Sequence, residues 1–324
     1  MRIAITGSIA TDHLMTFPGH FAEHFIPEKM DRVSLSFLVD RLDIRRGGVA
    51  ANIAFGLGVL GLSPLLIGAV GADFAPYREW LVAHGVDCGG VRESTTAHTA
   101  RFVCTTDSDG NQIASFYPGA MSEDAEIELA PLAERAGGLD LVLIGASDPD
   151  AMMSRTAECK ALGIPFAADL SQQLPRLGEQ EVCTLVDGAA YLFCNEYEEA
   201  LIERKSGWSG AQILDRVGVR VTTLGPAGAR VEQVGQAPQV IGPVPEIRMA
   251  DPTGTGDAFR AGFLAAVGWG LSLERAAQLG NMLAVHVLET VGTQEYELKP
   301  GSLAERLATT YGETVAAEVA VFYS

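Results

Sequence analysis

The second half of the chain, from about Leu139 onward, repeats one pattern of a short apolar run, a turn and an amphipathic stretch. Asp148-Pro149 is typical of a helix start, with an N-cap aspartate and a proline in the first turn, and Gly163 is typical of the helix end. Such alternation predicts β-α-β units around a mostly parallel sheet, so we expect an α/β fold with ligands at the carboxyl ends of its strands. The predicted strands occupy residues 139–144, 164–168, 191–194 and 219–224.

The N-terminal third follows a different pattern. Residues 34–43, 99–105 and 113–117 are short and partly alternating, and residues 107–111 form a turn-rich stretch between the last two segments. This arrangement predicts a small antiparallel sheet. An α/β segment separates its strands in the sequence, so the small sheet would be a discontinuous lid and not an independent domain. We therefore assign residues 12–46 and 97–118 to a β lid, and residues 1–11, 47–96 and 119–324 to a large α/β domain.

Charge and hydropathy exclude several classes of partner. The 324 residues carry 23 Lys and Arg against 41 Asp and Glu, a net charge of −18, which argues against binding to nucleic acid or to an anionic membrane. Residues 47–72 have no formal charge, but Asn52, Pro64 and repeated glycines divide them into a helix and a strand. Residues 1–7 fit a first strand better than a signal peptide, so we expect a cytoplasmic protein.

Cysteine and histidine spacing predicts neither a disulfide framework nor a metal site. The five cysteines form no C-x-x-C pair, and their odd number favours buried, reduced thiols. The six histidines have no metal-ligand spacing, which indicates ordinary core or surface residues.

The segment with the most chemical information is Asp251-Pro252-Thr253-Gly254-Thr255-Gly256-Asp257, which leads into an apolar helix. A helix start offers free N–H groups and the positive end of the dipole, and Gly254 and Gly256 allow an anion to approach the backbone. Asp257 would then lie beside the anion and could accept a proton from an attacking hydroxyl. The alternative is that Asp257 only caps the helix.

This heptapeptide resembles the D-T-x-G-A-G-D signature of the ribokinase-like (PfkB) carbohydrate kinases. Three further motifs of that family occur in the same order: Gly47-Gly48 through Asn52 and Ala54 as G-G-x-x-x-N-x-A, Asn195 and Glu198 as N-x-x-E, and Thr223, Gly225 and Gly228 as T-x-G-x-x-G. The resemblance spans residues 1 to about 293. It implies a three-layer α/β/α fold with a mostly parallel central sheet, a small β lid and ATP-dependent phosphoryl transfer to an alcohol.

The resemblance also implies roles for individual residues. Asp257 would be the base, with Gly254, Thr255 and Gly256 as the anion hole. Asn195 and Glu198 would hold the waters of a nucleotide-bound Mg²⁺, although Glu198 also suits the helix dipole. Asp251 and Thr253 would lie near an activating monovalent cation such as potassium. ATP would contact Asn195, Thr223, Gly225, Gly228 and Asn281; a plain strand-end turn at Gly225 and Gly228, and helix-surface polarity at Asn281, are the alternatives.

Two positions depart from the family signature. Pro252 replaces the common Thr, and Thr255 replaces the common Ala. Because the anion hole uses backbone N–H groups, Thr255 should cost little unless its side chain narrows the site.

The acceptor side is predicted from the same resemblance. Asp12, Gly48 and Asn52 would bind sugar hydroxyls, since a carboxylate accepts two hydrogen bonds at once; helix capping is the alternative for Asp12 and Asn52. Phe102 and Phe116 lie on the two hairpin strands and could enclose a purine ring. They could equally pair as lid-core or dimer-interface residues. Base edges would be read by Ser8, Gln172, Gln173 and Arg176.

Within the family, the motifs and the lid are most similar to the actinobacterial type of adenosine kinase. This similarity implies phosphorylation of the adenosine 5′-hydroxyl to AMP in purine salvage, with ATP, Mg²⁺ and potassium activation, and a homodimer built through the lids. A ribokinase- or fructokinase-like sugar kinase would use Asp12, Asn52 and Asp257 in the same way. A third possibility is a catalytically idle relative that only binds nucleotides or sugars.

Overall fold

The computed structural model describes residues 1–26, 32 and 34–323. Within this part of the chain, the strands are β1 Ile3–Thr6, β2 Ala10–Thr16, β3 Arg41–Gly47, β4 Leu65–Val70, β5 Asp87–Glu93, β6 Ala100–Thr106, β7 Gln112–Tyr117, β8 Leu141–Ile144, β9 Phe166–Asp169, β10 Tyr191–Asn195, β11 Val219–Thr223, β12 Ala229–Glu232 and β13 Gln239–Ile241. The helices are α1 Val49–Val59, α2 Ala75–Ala83, α3 Leu129–Arg135, α4 Pro149–Leu162, α5 Glu179–Val186, α6 Glu196–Ser206, α7 Gly210–Leu214, α8 Thr255–Gly268, α9 Leu273–Leu288, α10 Pro300–Tyr311 and α11 Glu313–Ala320.

Nine of these strands form one sheet in the order β13-β12-β11-β10-β9-β8-β1-β4-β5. Neighbours from β11 to β5 are parallel, and β12 and β13 continue the sheet as an antiparallel edge. The predicted α/β fold with a mostly parallel sheet is therefore confirmed. The helix predicted from Asp148 and Gly163 is present as α4, with Asp148 as its N-cap and Gly163 in the left-handed conformation after its end.

Both faces of the large sheet are covered, which gives three layers. Successive strand residues point to opposite faces, so Ile3 and Ile5 of β1 join one buried cluster with α1, α8 and α9. Ala4 joins a second cluster with residues of α4, α5 and α6. Strands buried on both faces have continuous apolar sequences, which is why the runs at β1, β4 and β8 do not alternate.

The remaining four strands form the small sheet, in the order β3-β2-β6-β7. Strands β6 and β7 are antiparallel and joined through the predicted turn, whereas β2 and β6 are parallel. The prediction of a strand over 34–43 is wrong in its position, because β3 begins at Arg41. β2 ends at Thr16, which pairs with Arg41. The residues before Arg41 therefore have no strand beside them with which to pair. Residues 27–31 and 33 of the predicted lid segment lie outside the described residues.

The uncharged stretch 47–72 contains helix α1 and strand β4, as predicted. No helix in the described part of the chain is long and apolar enough to cross a membrane. All five cysteines are free, and four of them are buried.

Candidate active site

A cavity of about 800 Å³ lies between the carboxyl ends of the large-sheet strands and one face of the small sheet. It brings together residues that are far apart in the sequence. Every residue predicted to bind the acceptor lines it: Ser8, Asp12, Gly48, Asn52, Phe102, Phe116, Gln172, Gln173 and Arg176. The predicted base and anion-hole residues line it too, as do Asn195, Glu198, Thr223 and Thr253.

Helix α8 begins at the wall of this cavity. Its N-cap, Gly254, has φ of 78°, and a Cβ there would lie 2.7 Å from Cγ2 of Thr293, so both the backbone conformation and the space require glycine. Gly256 and Asp257 follow in the first turn, where N–H groups have no acceptor within the helix. Thr255 turns its hydroxyl back, and Oγ1 donates to the carbonyl of Pro252 at 3.0 Å. The first turn of α8 therefore offers the N–H groups of Gly256 and Asp257 to an anion, whereas the N–H of Thr255 makes a long bond of 3.4 Å to the carbonyl of Pro252.

Asp257 is held by a side chain from another helix. Its Oδ2 accepts a hydrogen bond of 2.8 Å from Nδ2 of Asn52. Burial raises the pKa of Asp257 to about 7, although the charge of Arg260 and the bond from Asn52 both act to lower it. A carboxyl group with this pKa can gain and lose a proton near neutral pH, which suits a general base.

Asn52 is fixed in turn by two side chains near the C-terminus of the chain. Its Oδ1 accepts hydrogen bonds of 2.9 Å from Oγ1 of Thr293 and from Nε2 of Gln294. Gln294 also donates to the hydroxyl of Tyr77, which itself donates to the carbonyl of Gly47. Asn52 thus positions Asp257. Neither Asn52 nor Asp12 caps a helix, because Asn52 lies inside α1 and Asp12 inside β2.

The sequence analysis did not identify Arg260, which lies one turn beyond Asp257 on α8. Its side chain is 7% exposed, and its Nε and Nη2 each lie 2.6 Å from an oxygen of Asp169, at the end of β9. Arg260 also lines the cavity. A signal was present in the sequence, since Arg260 is a single charge in an otherwise apolar helical stretch and lies three residues after Asp257, on the same face.

The small sheet contributes a row of four side chains at matching register positions. Arg45 pairs with Asp12, Asp12 with Phe102, and Phe102 with Phe116 across β3, β2, β6 and β7. Residues opposite one another in a sheet point to the same face. Asp12, Phe102 and Phe116 line the cavity, and Arg45 extends to Asp251, with Nη1 3.6 Å from Oδ2. Burial raises the pKa of Asp12 to about 6.

Backbone shape also determines the acceptor side. Gly48 has φ of 96°, and a Cβ there would lie 2.5 Å from the carbonyl oxygen of Ser8. The hydroxyl of Ser8 accepts a hydrogen bond of 3.0 Å from the N–H of Val49, so Ser8 also caps α1.

Gln173 is buried beside the cavity, and its Oε1 has no hydrogen-bond partner among the described residues. Gln172 and Arg176 are exposed on the same stretch.

Asn195 and Glu198 form a reciprocal capping box at the start of α6. The N–H of Asn195 donates to Oε2 of Glu198 at 2.9 Å, and the N–H of Glu198 donates to Oδ1 of Asn195 at 2.8 Å. Oε1 of Glu198 makes no hydrogen bond within the described residues. No group of three or more acidic, His or Cys residues in this part of the chain could hold a metal alone. The donor set therefore fits a hydrated Mg²⁺ that the nucleotide phosphates bind directly.

A second cavity, of about 350 Å³, lies on the other side of the α8 start. Gly225, Gly228 and Asn281 line it, and Thr223, Thr255 and Gly256 line both cavities. A Cβ at Gly228 would lie 2.1 Å from the carbonyl oxygen of Ile241, so only glycine fits there. Asn281 is buried, so helix-surface polarity is excluded; its Nδ2 donates to the carbonyl of Gly242 at 2.9 Å. The two cavities meet at the first turn of α8.

The predicted cation residues form a local turn. Oδ1 of Asp251 accepts a hydrogen bond of 2.9 Å from the N–H of Thr253, and Oδ2 accepts one of 3.3 Å from the N–H of Gly292. Arg45 faces the same carboxylate, as described above.

Comparison with known proteins agrees with this geometry. The family model for pfkB family carbohydrate kinases matches residues 9–299. This chain is a member of that family. The family is one of ATP-dependent phosphotransferases that act on a sugar or a nucleoside, and ATP and Mg²⁺ are its implied cofactors.

The relatives that this family member resembles in structure and sequence include nucleoside kinases and ribokinases. A nucleoside kinase of Burkholderia thailandensis, solved in complex with inosine, has a TM-score of 0.84 and 32% identity, and the match covers 96% of this chain and 99% of that one. The nucleoside kinase of Methanocaldococcus jannaschii is 29% identical over 86% of this chain and 92% of its own length. The ribokinase of Bacillus subtilis is 26% identical over 90% of this chain and 94% of its own.

Proposed function

We propose that this chain is an adenosine kinase, which transfers the γ-phosphoryl group of ATP to the 5′-hydroxyl of adenosine and yields AMP and ADP. The observation that carries this proposal is the row of Asp12, Phe102 and Phe116 on the cavity face of the small sheet. A carboxylate next to two aromatic rings matches a ligand that has vicinal hydroxyls at one end and a flat base at the other.

The surroundings of the two phenylalanines favour contact with a ligand over packing within the sheet. Phe116 is 47% exposed, and none of the aromatic ring contacts among the described residues involves Phe102 or Phe116. Stacking a base on such rings is worth about 1–3 kcal/mol per base. A planar base can cover a flat ring more fully than a small sugar can, which supports a nucleoside acceptor.

Adenosine is favoured over inosine by the buried amide of Gln173. Its Oε1 has no partner among the described residues, and an amino group on the base edge would satisfy it. Adenine has an exocyclic amino group, whereas hypoxanthine has a carbonyl at the same position. Inosine is the second candidate, because a relative of similar structure was solved with it.

The reaction follows from the positions of the chain's own groups. The acceptor oxygen attacks the γ-phosphorus, a new O–P bond forms, and the bond from phosphorus to the bridging oxygen breaks as its electron pair leaves with ADP. Asp257 accepts the hydroxyl proton, and the N–H groups of Gly254, Thr255 and Gly256 hold the phosphoryl oxygens. Bound Mg²⁺ would screen the phosphate charge, with Asn195 and Glu198 contacting its waters.

The small sheet would act as the lid, and we further propose that it builds the homodimer. Its face opposite the cavity exposes Leu42, Ile44 and Ile113 by 53%, 60% and 43%. Contiguous exposed apolar side chains of this kind are typical of an interface.

Potassium activation near Asp251 and Thr253 is part of the same proposal, and it would place the cation close to the guanidinium of Arg45.

The decisive experiment compares ATP turnover with adenosine, inosine, ribose and fructose under identical conditions with Mg²⁺, with and without potassium. The proposal expects kcat/KM for adenosine to exceed that for the sugars by about 100-fold or more, or about 3 kcal/mol. A higher value for inosine would retain the nucleoside acceptor and refute the role of Gln173. A higher value for a sugar would refute the role of the two phenylalanines, and absence of turnover would favour the idle relative.

A further inference from the structure

Arg260 is the buried cation of the site, and its orientation is fixed. Its Nη2 donates a hydrogen bond of 2.6 Å to Oδ1 of Asp169, and its Nε lies 2.6 Å from Oδ2 in an ion pair that lacks hydrogen-bond geometry. Asp169 is itself fully buried, and Oγ of Ser171 donates to it at 2.6 Å. The only other arginine that lines the cavity, in the described part of the chain, is the exposed Arg176.

The third nitrogen of Arg260 is not used by the protein. Nη1 donates no hydrogen bond to any described residue, and it lies against Gly256, where an added Cβ would be only 2.9 Å away. The guanidinium therefore occupies the space that a side chain at Gly256, the second residue of α8, would need. Its free N–H groups lie next to the free backbone N–H groups of that helix start, where the two cavities meet.

Stability alone does not explain this pair. Burial of an arginine and a carboxylate costs desolvation energy, and a well-packed apolar pair of similar volume is often as stable or more so. The charge balance of the site gives a better reason. Carboxylates of Asp257 and Glu198 face the same guanidinium, and a nucleotide would add several negative charges. A site with this charge needs a fixed cation at the phosphates.

We propose that Arg260 is a catalytic residue that contacts the γ-phosphoryl group of ATP through Nη1, and that Asp169 is the positioning residue that aims it. As the O–P bond to the acceptor forms and the bond to ADP breaks, negative charge is spread over the three equatorial oxygens of the phosphoryl group. Nη1 and the N–H groups of the α8 start would then donate to these oxygens together. This inference rests on ATP-dependent phosphoryl transfer, which the family supplies, and not on the choice of adenosine as acceptor.

The test separates contact with the γ-phosphate from a structural role. Arg260→Lys retains the positive charge but loses the planar guanidinium with its several N–H donors. The double variant Asp169→Asn/Arg260→Met removes the ion pair without leaving a lone buried charge. Arg220→Lys is the matched control. The side chain of Arg220 is also 7% exposed and forms an ion pair of 2.9 Å with Glu232, and it does not line the cavity. Thermal melting shows that each variant is folded, and calorimetry measures the binding of Mg·ATP and Mg·ADP without any acceptor.

We expect both site variants to lose about 100-fold in kcat, the usual effect of removing one donor to a transition-state oxyanion. They should also lose about tenfold in affinity for ATP while the affinity for ADP changes by less than about twofold, since only ATP has the contacted group. Arg220→Lys should show none of these losses. Equal losses for ATP and ADP, or a folded double variant that keeps kcat within about threefold, would overturn the proposal. Because nucleotide binding is measured without an acceptor, failure of the adenosine proposal would leave this result interpretable.

Discussion

The two walls of the cavity are built in different ways. The wall from the large sheet holds Asp257 and Arg260 on one helix, where Asn52 and Asp169 fix them by hydrogen bonds and an ion pair. The wall from the small sheet presents Asp12, Phe102 and Phe116 on strands, and Phe116 is nearly half exposed. With the proposed roles, the groups that need positions fixed to within a fraction of an ångström would lie on the buried framework, and acceptor selection would lie on the more accessible sheet.

The largest effect should come from Asp257→Asn. The amide keeps the shape and can still accept the bond from Asn52, but it cannot accept the hydroxyl proton. We expect kcat to fall by about 10³- to 10⁴-fold, with the Kd of the acceptor nearly retained. Kinetics and calorimetry on the same preparation test this, and turnover equal to that of the unmodified chain would exclude Asp257 as the base.

The pH profile should distinguish the carboxylates of the two walls. The pKa of Asp257 is raised to about 7 and that of Asp12 to about 6. Asp257 must be ionised to accept a proton, and Asp12 must be ionised for both of its oxygens to accept hydrogen bonds from the acceptor hydroxyls. Lowering the pH protonates Asp257 first. We expect log kcat/KM to fall with a slope of one below about pH 7 and of two below about pH 6, a loss of about 10³-fold at pH 5.

Asp12→Asn is the control for this profile. It should leave a single slope of one throughout the acid range, because only Asp257 still titrates. A profile that is flat between pH 5 and 8 would contradict the burial of both groups.

Removal of the two aromatic rings should affect only the small-sheet wall. We expect Phe102→Ala/Phe116→Ala to weaken adenosine binding by about 100-fold, or about 3 kcal/mol, since each ring can stack on the base. The kcat/KM for ribose should change little. Phe322→Ala is a matched control, because Phe322 is 43% exposed and stacks on Trp269 instead of lining the cavity. Equal losses for adenosine and ribose would show that the rings support the sheet and not the base.

The smallest effect should come from Thr255→Ala. The hydroxyl of Thr255 is directed at the carbonyl of Pro252, so the site uses only the backbone of this residue. We expect kcat to change by about twofold, the value of one partly exposed hydrogen bond. A steady-state assay tests this, and a tenfold gain would mean that the methyl or hydroxyl group narrows the anion hole.

Local sequence was sufficient where short-range chemistry determines structure. Asp148 and Gly163 identified the limits of α4, and the glycine turn at 254–257 identified the start of α8, because caps and left-handed glycines act within a few residues. The strand predicted over 34–43 failed for the opposite reason. Its alternation is real, but a strand needs a neighbour, and β2 ends at Thr16.

Contacts between residues far apart in the sequence could not be predicted from any local pattern. Thr293 and Gln294 hold Asn52 from positions 241 and 242 residues away, and Tyr77 in turn accepts a hydrogen bond from Gln294. Nothing in their own segments marks these residues. Arg260 was visible as a lone charge in an apolar helix, but its partner Asp169 is 91 residues away.

The sequence by itself determined the family, the α/β order of elements and the set of residue types at the site, because these depend on motifs and periodicity. Only the tertiary structure decided which groups act together: the row of Asp12, Phe102 and Phe116, the Asn52–Asp257 bond and the Asp169–Arg260 pair. The physical reason is that register across strands and the meeting of strand ends are set by packing of the whole sheet, which no single segment encodes.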